Sequence, residues 1–95
     1  MSTYTVAQLR FTDRAAYLRY QAQFWDVFKQ FNGKLLASDE HPVVREGHWD
    51  RDKIVILEFP DAQSAHAFEM SPAYQRIAVD RRAGADAIIL HVAGF

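Results

Sequence analysis

Two short stretches of this chain are apolar at consecutive rather than alternate positions. Ile54, Val55, Ile56 and Leu57 form the first; Ile88, Ile89 and Leu90 form the second. Runs of this length, bounded by turn residues and rich in β-branched side chains, read as strands with both faces removed from water. That demand is hard to meet in 95 residues, the size of one domain. One layer of helices covers only one face of a sheet. The other face needs a second cover, and in so short a chain that cover is another copy, so the pattern predicts a homodimer. A domain of this size buries only roughly two-thirds of its unfolded surface, which favours the same solution.

The rest of the chain supplies the elements for such a sheet. Over 3–11, Ala7, Leu9 and Phe11 fall on one face and Tyr4, Val6, Gln8 and Arg10 on the other, the period of a strand. Thr12 and Asp13 are N-cap residues for a helix in which Tyr17, Tyr20, Phe24, Val27, Phe28 and Phe31 recur at helical spacing. Asn32-Gly33 is the expected stop, with the glycine in the left-handed conformation. Residues 34–37 read as a short strand or its first half, broken by Asp39, Glu40 and Pro42. Residues 43–49 resume extended structure, 50–53 form a polar turn, and 54–59 return as the partner strand of a hairpin. Asp61 caps a helix over 62–70. Ser71 caps another that starts with Pro72, where no backbone N–H is needed, and runs to about Gly84. A last strand covers 88–93.

Strand, helix, hairpin, helix, strand is a ferredoxin-like β-α-β-β-α-β order. The expected fold is α+β: one domain over 1–95, an antiparallel sheet with helices on one face, pairing as a dimeric α/β barrel.

Composition excludes several functions. The absence of cysteine rules out disulfides, thiolate zinc sites and a cysteine nucleophile. Eleven basic and twelve acidic residues are interspersed, leaving no basic stripe for nucleic acid. No apolar run reaches the roughly 18 residues of a membrane span, and no signal-peptide pattern opens the chain, so the expectation is a cytoplasmic protein without membrane association. No phosphate loop, nucleophile elbow or dinucleotide fingerprint occurs.

Several spaced motifs carry a resemblance. They are Asp13-x-x-x-Tyr17-x-x-Tyr20, Gly33, Glu46-Gly47-x-Trp49, Glu58-Phe59-Pro60, Ser71-Pro72-x-Tyr74-Gln75, and Arg81 or Arg82 beyond. In this order and spacing they resemble the family called domain of unknown function 1330, within the dimeric α/β-barrel superfamily. That family often has a tryptophan-tyrosine pair and an acidic residue around the serine-proline step, where this chain has Phe68, Glu69 and Ala73. The resemblance implies a homodimer with a cleft between sheet and helices, and it supplies no reaction. Wider superfamily relatives include cofactor-free monooxygenases, isomerases and haem-binding enzymes.

Glu58 interrupts an apolar strand, and a desolvated carboxylate there can act as general acid or base. In the expected hairpin Arg45 faces Glu58, which makes an ordinary cross-strand ion pair the competing reading. Glu46 and His48 would share a strand face, a pairing suited to proton transfer and equally common on solvated faces. Trp49 can line a cleft or anchor a core or interface. Tyr17 and Tyr20 lie on the apolar stripe of the first helix, where they pack on the sheet or reach a ligand. Tyr74 and Arg81 are seven residues apart on one helix face, and Arg81 can hold a carboxylate bidentately. His41, following Asp39-Glu40, or a lone His66 or His91 gives weak metal or haem alternatives; the expectation is no metal and no cofactor. The expected function is small-molecule binding in the cleft by Tyr17, Tyr20, Trp49 and Arg81, with Glu58 or His48 as proton-transfer groups if the chain is a cofactor-free oxygenase or isomerase. The alternative is a non-catalytic interaction or ligand-sensing module.

Overall fold

The computed structural model describes residues 1–95. Its helix boundaries are set by short polar side chains. β1 (Thr3–Phe11) gives way to α1 (Arg14–Phe28) where the Asp13 carboxylate accepts the Ala16 amide at 3.3 Å. β2 (Lys34–Asp39) and β3 (Lys53–Phe59) follow. Asp61 then accepts the Ser64 amide at 2.7 Å and starts α2 (Ala62–Met70). This bond, made to the charged form, holds the Asp61 carboxyl below its usual range. The Ser71 hydroxyl accepts the Tyr74 amide at 3.1 Å and starts α3 (Pro72–Gly84), with Pro72 in the first turn. β4 (Ala85–Ala93) closes the chain. The sheet is fully antiparallel in the order β2-β3-β1-β4, as the ferredoxin-like reading requires.

Two expectations are corrected. Residues 43–49 do not form a strand. β3 has two edges; β1 occupies one and Lys34–Asp39 the other, so nothing is left for a hairpin partner from 43–49. A bulge at Leu36 lets β2 run two residues further than 34–37. Residues 40–52 are a long connection instead. Its end is pinned to β1, with Asp52 accepting the Phe11 amide at 2.8 Å and donating its own to the Leu9 carbonyl at 2.7 Å. The second correction concerns Gly33. Helix α1 stops at Phe28, and the single positive-φ residue of the chain is Gly47, at +83°. Gly33 is needed for space: a Cβ there would lie 2.7–2.8 Å from the rings of Phe59 and Phe28.

Both sheet faces are apolar, and they meet different surroundings. The face beneath the helices carries Leu9, Leu57 and Phe59, all buried. Phe68 of α2 packs its ring against Phe24, Phe28, Phe31, Phe59 and Tyr74, joining the helices to the sheet. The opposite face carries Val6, Ile54 and Ile56, with Ile88, Leu90 and Val92 exposed at 41, 46 and 43%. Trp49 folds onto this face and donates its indole N–H to Gln8 at 3.1 Å.

Helices α1 and α3 meet at backbone distance. A Cβ on Gly84 would stand 2.4 Å from the Tyr17 nitrogen and 2.7 Å from the Asp13 oxygen, and the Gly84 carbonyl accepts the amides of Thr12 and Asp13 at 2.9 and 3.1 Å. Backbone cannot give way as a side chain can. Gly84→Ala is therefore expected to destabilise the chain by about 1–3 kcal/mol in urea unfolding, the range of a forced overpacking; an unchanged midpoint would contradict this close packing.

Candidate functional site

The helix face of the central strand holds small side chains. Thr5 and Ala7 precede Leu9, and Ala7 lies between Val55 of β3 and Ile89 of β4. Helices resting on such a floor leave space above it. A cavity of about 560 Å³ opens there, and all seven elements contribute to its wall. Its lining is mostly apolar, and its polar groups come from identifiable positions.

Tyr17 and Tyr20 project from the buried stripe of α1, and Tyr74 and Arg81 from α3. The hydroxyls of Tyr20 and Tyr74 lie 3.0 Å apart. One of them donates to the other, so the pair keeps one O–H that the protein does not use. The Arg81 Nε is buried and has no hydrogen-bond partner. Burial pushes the Tyr17 hydroxyl up to about 12, with the Tyr74 and Glu40 charges adding to the rise and Arg81 opposing it. Burial raises Tyr20 well above the ordinary phenol value, and Tyr74 adds to it. Both phenols are therefore protonated donors at neutral pH. Lys53 enters the same space from the start of β3, donating to Gln21 at 2.8 Å with its ammonium 5.0 Å from the Tyr17 ring centre. Desolvation lowers its pKa, partly countered by Glu40. At the wall formed by β4 and α2, His91 Nε2 lies 3.3 Å from a Glu69 carboxylate oxygen.

A family model described as domain of unknown function (DUF1330) matches residues 2–95. The chain belongs to the DUF1330 family. Solved structures agree on the fold. RPA0582, a protein of unknown function from Rhodopseudomonas palustris, is 17% identical with a TM-score of 0.82, over 99% of this chain and 82% of that one. A dimeric ferredoxin-like protein of unknown function from Jannaschia sp. CCS1 is 15% identical with a TM-score of 0.74, over 99% and 100%. SnoaB, a cofactor-independent oxygenase from Streptomyces nogalater, is 15% identical with a TM-score of 0.71, over 99% and 93%. No curated protein matches the chain.

In this DUF1330 domain the residues singled out from sequence divide into two groups. Tyr17, Tyr20 and Arg81 come together on the cavity wall, joined by Tyr74. Glu58, His48 and Trp49 lie outside it. Glu58 alternates with the buried Leu57 and Phe59, so it points to the face away from the helices. Its register neighbours are Tyr4 and Lys34, not Arg45, and it borders a shallow recess with Lys34 and Asn32. His48 and Glu46 are exposed in the 40–52 connection and share no strand. Three cavity residues carried no sequence signal strong enough to rank them: Lys53 read as a turn residue, and His91 and Glu69 meet only through the tertiary fold. The parity of β4, with Ala85, Ala87, Ile89 and His91 on one face, was the one available pointer to His91.

Titration gives a direct check on the buried phenol. Tyr17 ionises near pH 10 in the unfolded chain and about 12 in the folded one. Its contribution is complete below pH 10 and is lost as pH rises through 12, amounting to about 2–3 kcal/mol. Urea unfolding repeated between pH 9 and 12 is expected to show falling stability, and Tyr17→Phe to flatten that slope. An equal slope in both proteins would place the Tyr17 hydroxyl in water.

Proposed function

We propose that this chain binds a small, mainly apolar organic molecule in the sheet–helix cavity, and that the molecule presents a carboxylate or carbonyl oxygen to Arg81 and the tyrosine hydroxyls. The observation that carries the reading is the buried Arg81 Nε without a partner, set in a cavity of about 560 Å³ beside protonated phenols. A buried donor left unpaired costs about 1–3 kcal/mol, and an acceptor oxygen on a ligand removes that cost. Cavities of this size, apolar with a few convergent polar groups, are the usual form of small-molecule sites. A cleft filled solid by its aromatic residues would have favoured the non-catalytic interaction module; the open space favours a ligand. Proton transfer needs no cofactor, so cofactor-free chemistry of the kind named for SnoaB is compatible with the groups present.

The reading includes a homodimer closed through the outer sheet face. Ile88, Leu90 and Val92 lie side by side with Val6 and Ile56 there, an apolar surface that a second copy would cover. The dimeric state named for the Jannaschia relative supports the same arrangement. Sedimentation is expected to give a dimer for the natural chain and a monomer for Leu90→Lys; a dimer that survives this charge would move the interface elsewhere.

Calorimetry with 2-naphthoate, a planar apolar acid, tests the ligand. Binding is expected, with Arg81→Gln weakening it about 10- to 100-fold, the scale of one charged hydrogen bond, and Ala7→Leu blocking it by filling the floor. Binding indifferent to both substitutions would remove the cavity from consideration.

A further inference from the structure

The cavity holds a second polar group with no part in anchoring a ligand oxygen. His91 stands on β4 opposite Thr5 of β1, on the face beneath the helices. Glu69 lies in the last turn of α2, and its backbone carbonyl accepts the Gln75 side chain at 2.7 Å, which fixes that turn against the start of α3. The Glu69 carboxylate meets His91 Nε2 at 3.3 Å. A carboxylate this close favours the tautomer with the proton on Nε2, the form that leaves the lone pair on Nδ1. The two side chains retain 29 and 40% exposure, so the pair sits at the mouth of the cavity, where a proton can pass to water. Arg81 is in the last turn of α3, while Glu69 precedes its first. Tyr74 is in that first turn, so the Tyr20–Tyr74 hydroxyls and the His91–Glu69 pair lie toward the same end of the cavity, with Arg81 two turns further along α3.

We propose that His91, positioned by Glu69, is a general base for enolisation of a carbonyl compound bound in this cavity. The substrate class is an aromatic keto acid or conjugated ketone. Its carbonyl oxygen meets the Tyr20–Tyr74 hydroxyl, the carboxylate of a keto acid reaches on to the Arg81 Nε–H, and the acidic C–H beside the carbonyl faces the histidine. His91 Nδ1 takes the proton from the carbon beside the carbonyl. The C–H electron pair becomes the C=C bond of the enolate, and the carbonyl π pair moves to oxygen, where the phenol donor receives the charge. The imidazolium then returns its proton to the same carbon, or to the far end of a conjugated system to give an isomer. Atoms and electrons balance without oxidant or reductant. A base facing the C–H and neutral phenol donors on the adjacent carbonyl oxygen is the division of labour that enolisation requires. The proposal rests on the ligand-binding reading above.

Phenylpyruvate in D2O is the probe, with loss of its methylene signal followed by proton NMR and its binding followed by saturation transfer. The full chain is expected to accelerate exchange about 10²–10⁴-fold over buffer, the range of a positioned base. His91→Gln and, as a second replacement, His91→Asn are expected to return exchange to the buffer rate while phenylpyruvate still binds. Glu69→Gln is expected to lower the exchange rate at unchanged binding, with partial rescue by Glu69→Asp, a pattern that mere loss of packing would not produce. Binding with exchange at the buffer rate, or acceleration that survives in both His91 variants, overturns the base and leaves the cavity reading intact. Binding of 2-naphthoate without phenylpyruvate overturns the substrate class proposed here. Binding of neither overturns the cavity reading and this proposal with it.

Discussion

Helices α1 and α3 touch backbone to backbone at Gly84, and the cavity's polar groups depend on that contact. Tyr17 and Tyr20 belong to one helix, Tyr74 and Arg81 to the other. A side chain at position 84 would clash with the Tyr17 nitrogen and the Asp13 oxygen and drive the helices apart. The 3.0 Å contact between the Tyr20 and Tyr74 hydroxyls is then out of reach. The Gly84 carbonyl also takes the amides of Thr12 and Asp13, so one residue ends α3 and fixes the entry to α1. The helix pair is in this way a single rigid cover over the sheet.

Beneath that cover, side-chain size divides the interior in two. Phe68 and the rings around it fill one part to contact distance, tilted or edge-on as aromatic quadrupoles prefer. Thr5 and Ala7 leave the other part open. The packed part holds the helices at a fixed height, and the small residues convert that height into volume. This is a general way to keep a cavity from collapsing: the element spanning it is supported elsewhere.

Desolvation gives the open part its chemical character. Phenols that burial keeps protonated are hydrogen-bond donors across the ordinary pH range. Arg81 adds a buried N–H that no group of the protein accepts. Donors so placed favour a ligand that brings electron density, and they stabilise charge developing on its oxygen more strongly than water-exposed groups could.

Local chemistry was legible in the sequence. Asp13, Asp61 and Ser71 each satisfy an amide three residues ahead, and Pro72 follows its cap directly, so the limits of α2 and α3 could be read from neighbouring residues alone. The two-sided apolar strands were legible for the same reason, as was the helical stripe that carries Tyr17 and Tyr20. What required the tertiary structure was competition and coincidence between distant segments. Residues 43–49 have strand character, but a strand needs an edge, and both edges of β3 were taken. Glu58 must point opposite to Leu57 and Phe59, yet which of the two faces the helices cover is decided by the folded chain. Gly33 and Gly84 are required by rings and backbone that approach from elsewhere. His91 and Glu69 are 22 positions apart, on a strand and a helix, and no local pattern brings them to 3.3 Å. Caps and periodicities act over three or four residues and can be read along the chain; strand edges, close approaches and paired side chains are settled only when the whole chain competes for the same space.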